Sequence, residues 1–259
     1  MSNLLYKYLD VKGAIMMLHY SNLMYANAMT FNDPLDCHPA LIDFNNVPSR
    51  SNNVWPPDEL IIKQNISRHE NYRNFLWICC LSKIYDGILL WSYYNKHEGV
   101  CIGLNMEKVG KYLQNPLYGM EILSEGKEVR YTDIIQKPNY YRDYKDYFDY
   151  QVFTKAKAWA HEQEVRLYIY KPSSLCMGLM PGQEKKKELN QKEIRLFPKI
   201  GPECFESIYL GVKINKTEKD EIIQYAKKLN PNIKIYQMEI DTNSFNLLAK
   251  QELNNKLDK

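Results

Sequence analysis

Hydrophobic and polar positions change period repeatedly along this chain, and each change marks an expected element. Leu4-Leu5-Tyr6-Lys7-Tyr8 reads as a short strand, followed by a helix from Val11 to His19 and a second strand over Leu23–Ala26. Phe31 to Cys37 carries the Asn, Asp and Pro of a turn, and the Asn-, Ser- and Pro-rich stretch Asn45–Pro57 reads as a surface loop. Pro57-Asp58 opens a helix that runs to about Arg73. The apolar run Phe75–Leu81 suits a buried strand; Leu89–Asn95 reads as a short helix, and Gly99–Leu104 and Glu128–Tyr131 as strands. Tyr140 to Tyr150 mixes aromatic and charged residues at roughly helical spacing, and Val152–Ala160 is expected to continue that helix. Leu167–Tyr170 is a strand that Pro172 ends.

Further on, Lys185-Lys186-Lys187 falls in a Gly-, Pro-, Glu- and Lys-containing stretch that reads as a loop of solvated charge, before a strand over Ile194–Phe197. The last third predicts strand Ser207–Leu210, a helix Thr217–Leu229 with Thr217 as its N-cap, and strand Ile233–Glu239, with Asn230-Pro231-Asn232 between. Phe245–Leu257 reads as an amphipathic tail helix. Without an internal repeat or a long linker, the pattern gives one α+β domain over residues 1–240, a mixed twisted sheet with flanking helices, and a helical tail over 241–259.

Composition changes this picture little. Of 259 residues, 45% are hydrophobic and 25% charged, and 34 basic against 31 acidic side chains leave a formal charge of only +3. That balance gives no general electrostatic argument for nucleic acid or membranes. No apolar run reaches the roughly 18 residues of a membrane span. Cys37, Cys79, Cys80, Cys101, Cys176 and Cys204 show no C-x-x-C or zinc-knuckle spacing, so free thiols in a reducing cytoplasm are expected. The 21 tyrosines are unusual, since each offers a flat apolar face and a polar tip to a strand or pocket.

The chemistry concentrates in His161-Glu162-Gln163-Glu164-Val165-Arg166. In extended chain, Glu162, Glu164 and Arg166 share one face. Two carboxylates that close raise the pKa of one of them, as an acid/base pair or transition-state clamp needs; the same spacing also describes a solvated Glu/Glu/Arg ladder. Three further clusters accompany it: Tyr6-Lys7-Tyr8, the Asn32-Asp33-Pro34-Leu35-Asp36 turn, and Ser82 with Trp91-Ser92-Tyr93-Tyr94 and His97-Glu98-Gly99. Each has a plainer role available, with Lys7 snorkelling along an edge, Asn32 and Asp33 capping a turn, Trp91 in a core, and His97 as an ordinary paired histidine. Together they hold what a nucleotide pocket needs: aromatic platforms, a cation, hydroxyls and carboxylates.

His161-Glu162 lacks the second His of a zincin, and no phosphate-loop, dinucleotide or serine-elbow motif occurs. No metal is therefore expected, although Asp33, Asp36, Glu162 and Glu164 would suit a carboxylate-metal nuclease.

The order Leu5-Tyr6-Lys7-Tyr8, Phe31-Asn32-Asp33-Pro34-Leu35-Asp36, Leu90-Trp91-Ser92-Tyr93-Tyr94, Lys96–Val100, Trp159, Glu162 and Glu164-Val165-Arg166 resembles a bacterial domain-of-unknown-function family, number twenty-nine seventy-one, over about residues 4–211. Leu35 stands where the family pattern has Phe, and Tyr93 departs from its smaller residues.

A more distant resemblance is to ADP-ribosyltransferases, which transfer ADP-ribose from NAD⁺ and fold as a split sheet. It implies NAD as co-substrate, Glu164 against the oxocarbenium-like ribose and Glu162 on the acceptor. Tyr94 would stack on nicotinamide, and Lys7, Tyr8, Ser82, Trp91, Ser92 and Arg166 would line the dinucleotide. Asn32, Asp33, Asp36 and His97 would be accessory. Lys7-Tyr8 replaces the usual His or Arg of the first motif.

The function expected on this basis is an NAD-cleaving ADP-ribosyltransferase or glycohydrolase of the bacterial cytoplasm, as a toxin or phage-defence effector. Its acceptor would be a protein or nucleic acid, and an inhibitor or activator protein its regulator. The alternatives are a non-catalytic module binding a nucleotide signal or a protein, and the nuclease.

Overall fold

The computed structural model describes residues 4–48, 57–113, 121–142, 144–171 and 194–251. The fold is mixed α+β, built on one curled sheet. β1 (Leu4–Leu9) leads into α1 (Val11–Tyr20), whose first turn is capped by the Asp10 carboxylate accepting from Gly13 N–H. β2 (Tyr25–Asn27), α2 (Asp58–Glu70) and β3 (Leu76–Ser82) follow, then α3 (Ile88–Asn95), β4 (Val100–Asn105) and α4 (Met106–Leu113). β5 (Glu121–Glu128), β6 (Arg130–Thr132), α5 (Tyr144–Phe153), β7 (Thr154–Ala156) and β8 (Glu164–Tyr170) make up the middle. β9 (Arg195–Leu196), β10 (Phe205–Leu210), α6 (Lys216–Leu229), β11 (Lys234–Ile240) and β12 (Leu247–Gln251) complete the described chain.

The main path of the sheet runs β12-β11-β10-β4-β1-β3-β2-β9, with β8 pairing on β3 and β5 on β8. β1 pairs with β4 along its whole length, from Leu4↔Asn105 to Leu9↔Val100, yet meets β3 at the single pair Tyr6↔Ser82. The sheet is therefore two well-paired wings hinged at one contact. In one wing β3 and β8 are aligned from Leu76↔Tyr170 to Ser82↔Glu164. In the other, β10 is antiparallel to β4 and parallel to β11, the α6 crossover joining the parallel pair.

Strand periodicity sorts the core. On β8, Leu167 and Ile169 face a layer shared with α1, α4 and α6, whereas Tyr168 and Tyr170 face a second layer under α2 and α5. Glu164 and Arg166, in step with Tyr168, belong to that second face. Among the described residues no helix is long and apolar enough to cross a membrane, and Cys37, Cys79, Cys80, Cys101 and Cys204 are free thiols. Cys176, the Lys185–Lys187 loop, Pro172 and most of the Asn45–Pro57 loop lie outside the described residues.

Four expectations change. Glu128–Tyr131 is not one strand, since β5 ends at Glu128 and β6 begins at Arg130 in a separate pair with β7. Val152–Ala160 does not continue the helix: α5 stops at Phe153, β7 pairs in parallel with β6, and a 3₁₀ turn spans Lys157–Glu162. The cap of α6 is Asn215, whose side-chain oxygen accepts from Glu218 N–H, two residues before the expected Thr217. The tail is not helical where it is described. Leu247–Gln251 is a strand on β11, because its apolar positions pair across the hairpin, Leu247 against Ile240 and Ala249 against Met238.

Candidate functional site

The second face of β8 ends in a closed set of ions. Glu164 and Arg166 stand two residues apart on the strand, as the sequence predicts, and bond to each other: Arg166 Nε donates to Glu164 Oε1 at 2.8 Å and Nη2 to Oε2 at 3.0 Å. The same guanidinium forks onto Asp36, Nη1 to Oδ1 at 2.8 Å and Nη2 to Oδ2 at 2.7 Å, and its remaining proton goes to the Val152 carbonyl at 2.6 Å. All five N–H groups of Arg166 are thereby spent inside the protein, and the side chain is completely buried.

Glu162 reaches the same centre by another route. It is the last residue of the 3₁₀ turn, and Gln163 after it is left-handed, with φ 44 and ψ 50. This kink, rather than an extended strand, brings the two glutamates together. Between them lies Lys155 on β7, whose Nζ donates to Glu162 Oε2 at 2.6 Å and Glu164 Oε2 at 3.3 Å, and stands 3.7 Å from Asp36 Oδ2. The ring of Trp159 covers the ammonium, its centroid 4.8 Å away. Three carboxylates and two cations, all at most 9% exposed, thus share one site.

These contacts hold Glu164 and Lys155 in their charged forms. Burial works to raise the Glu164 carboxyl, but the Arg166 guanidinium overrides it and, with Lys155, takes it down to about 2. Burial likewise works to lower Lys155, and the facing Glu164, Asp36 and Glu162 carboxylates outweigh it and push it up. Glu164 is therefore not the half-protonated carboxyl expected of two unneutralised glutamates. The solvated ladder is equally absent, since Glu162, Glu164 and Arg166 are all buried.

Among the described residues, Glu162 is the one carboxylate of the cluster with a bond leading outward. Its Oε1 accepts from the Tyr94 hydroxyl at 2.5 Å, and the Tyr94 side chain is 44% exposed on α3. Burial and the neighbouring carboxylate hold that phenol protonated, well above the usual tyrosine range. Ser82 closes the floor, its Oγ donating to the Glu162 carbonyl at 2.7 Å. The Tyr131 hydroxyl receives the Glu164 backbone N–H at 2.8 Å, anchoring the start of β8.

The other sequence candidates divide. Lys7 donates to the Cys80 carbonyl at 2.8 Å, bracing β1 on β3 near the hinge. Tyr8 and Trp91 are core residues, packed edge to face with centroids 5.4 Å apart; Tyr8 bonds the Ile84 carbonyl and Trp91 the Tyr85 carbonyl. They belong to the interior of the other wing, and Arg166 has no donor left, so none of these three offers a free group to a dinucleotide. Ser92 and His97 pair at 3.0 Å on the outer side of α3. Asn32 and Asp33 accept backbone N–H groups within their own turn, and only Asp36 of that turn enters the ion cluster. Of the four carboxylates that would suit a metal nuclease, Asp33 stays in its turn and Asp36, Glu162 and Glu164 come together. Their oxygens are instead taken by ammonium and guanidinium, and among the described residues no group of three His, Cys, Asp or Glu is arranged to hold a metal ion.

Sequence reasoning missed Lys155, among the described residues the one cation touching all three carboxylates, along with Tyr131. The available signal was a lysine just after the apolar Val152-Phe153 and four residues before Trp159.

Residues 90–167 match the model of a family described as protein of unknown function (DUF2971), the family that the motif order resembles. The matched stretch carries Trp91, Tyr94, Lys155, Glu162, Glu164 and Arg166, so the cluster lies within it except for Asp36. No curated protein and no solved structure matches the chain.

Proposed function

We propose that the chain cleaves the nicotinamide–ribose bond of NAD⁺, as an ADP-ribosyltransferase or NAD⁺ glycohydrolase, with Glu162 as its central carboxylate. The observation that carries this reading is that Glu162 is clamped on Lys155 at one oxygen and linked at the other to the hydroxyl of a half-exposed tyrosine. A carboxylate so fixed is suited to an oxocarbenium-like ribose, because the positive charge that develops meets a negative charge that need not reorganise. The exposed ring of Tyr94 offers the departing nicotinamide a stacking face. The hinge between the two wings is in keeping with a split-sheet fold whose cleft opens between its halves. In this reading the glutamates exchange the roles that the resemblance implies: Glu162 meets ribose once the Tyr94 hydroxyl releases its Oε1, and Glu164 holds Lys155 and Arg166 in place.

Free nicotinamide released from NAD⁺ by purified protein tests it, with Glu162→Gln and Glu164→Gln beside the wild type. Release by wild type and at least a hundredfold loss in Glu162→Gln would support it. Silence from wild type, with cell lysate present as a source of acceptor and activator, would overturn it. The toxin or phage-defence role, the acceptor and a regulatory partner follow only from a positive result.

A second reading, a non-catalytic module for a nucleotide signal or protein, is favoured by the saturation of Arg166 and Glu164. It requires ligand binding that Glu162→Gln leaves nearly unchanged, with no nicotinamide release.

A further inference from the structure

Assigning Glu162 to the ribose leaves the proposed reaction without a proton acceptor, and the residue before it has the unused group. The Nδ1 of His161 lies 3.0 Å from the Ala158 carbonyl. A carbonyl only accepts, so in the neutral ring this contact puts the proton on Nδ1 and leaves Nε2 as a bare lone pair. That Nε2 is shielded from solvent and has no hydrogen-bond partner among the described residues. A buried polar atom without a partner is a costly arrangement that calls for an explanation.

The surroundings supply one. The His161 ring sits between Tyr93, edge-on with centroids 5.9 Å apart, and Trp159 at 6.1 Å, the same indole that covers Lys155. Tyr93 is 63% exposed on α3 and neighbours Tyr94, the outward contact of Glu162. Tyr93 is therefore the exposed side chain that a ligand would displace to reach the His161 ring.

We propose that His161 is the general base of the site, which rests on the NAD⁺ reading above. The nucleophile is then an O–H group, from water or an acceptor hydroxyl. Its oxygen forms the bond to the anomeric carbon, the carbon–nitrogen bond to nicotinamide breaks with its electron pair staying on nicotinamide, and the O–H proton passes to His161 Nε2. The aromatic wall of Tyr93 and Trp159 keeps bulk water from the lone pair until a ligand displaces Tyr93.

Three measurements test this: nicotinamide release, NAD⁺ affinity by titration calorimetry, and the ring tautomer of His161 from ¹⁵N-resolved NMR. The variants are His161→Gln, which keeps an acceptor but not a base, and Tyr93→Ala. The expected results are Nε2 unprotonated in the free wild type and NAD⁺ affinity in His161→Gln within about threefold of wild type. Release in that variant should fall by a factor on the order of a hundred and recover partly with added imidazole, while Tyr93→Ala keeps at least a tenth of the activity. An Nε2-protonated ring, unchanged release in His161→Gln, or a loss that imidazole does not restore would overturn the proposal while the NAD⁺ reading stands. A wild type that releases no nicotinamide overturns the NAD⁺ reading first and the base with it.

Discussion

The two wings of the sheet bury polar side chains in opposite ways. Around the start of β8, the charged side chains of Asp36, Glu162, Glu164, Lys155 and Arg166 are buried together, each held by named partners. Across the hinge, Tyr6, Tyr8, Tyr209 and Trp91 are buried as neutral rings, with Tyr85, Tyr209 and Tyr236 stacked at 4.3 and 4.9 Å between centroids. A buried ion costs several kcal/mol to desolvate and recovers it only while every partner stays. A buried phenol keeps its dispersion contacts even when one hydrogen bond is lost. The ionic wing should therefore fail abruptly and the aromatic wing gradually. A structure that needed only stability would have no use for so exposed a failure mode beside Tyr94.

The largest test of this contrast is Arg166→Met. Removing the guanidinium strands Asp36 and Glu164 without it, and denaturant unfolding should show a loss of about 3–5 kcal/mol. A loss under 1 kcal/mol would mean that the cluster relaxes with water and that the two wings do not differ.

Acid comes next. The Glu164 carboxyl sits at about 2 in the fold against 4.5 when free. Its depressed value makes its stabilising contribution fully present above about 4.5 and lost as pH falls through about 2. That contribution is on the order of 3 kcal/mol. Urea unfolding at pH 5, 4 and 3 should show the decline, and Glu164→Gln should flatten it.

At the kink, Gln163→Val forces a β-branched residue into the left-handed region and should cost about 1–2 kcal/mol, whereas Gln163→Gly should be nearly neutral. Thermal melts of the two variants read the difference. The smallest effect belongs to the aromatic wing. Tyr8→Phe removes the bonds to the Ile84 carbonyl and Gly87 N–H but keeps the ring on Trp91, and should cost about 1 kcal/mol. A larger loss in Tyr8→Phe than in Arg166→Met would reverse the comparison.

Much of this was legible in the chain. The period-two reading put Glu164 and Arg166 on one face, and the apolar Phe75–Leu81 run is indeed the strand that pairs with them. Trp91 proved to be core, and Asn32 and Asp33 turn caps, the plainer roles open to them. The convergence of Glu162 was legible for the wrong reason, because a left-handed residue and an extended one give the same two-residue spacing. Lys155 was hidden because it lies on a three-residue strand after a helix, too short for a period to show. Asp36 was grouped with Asp33 by sequence, and only folding separates a buried partner of Arg166 from a turn cap 3 residues away. The α4 helix went unrecognised, and the tail strand was misread because its pairing partner is a hairpin away.

The single Tyr6↔Ser82 pair between β1 and β3 has a consequence for motion. Strands joined by a full ladder exchange their amide hydrogens together, whereas one bridging pair couples its neighbours weakly. Amides of β4 and β10 should therefore exchange with one opening free energy and those of β3 and β8 with another. A ligand seated between the wings would bring the two values together, so the molecule would report occupancy as a merging of two exchange rates.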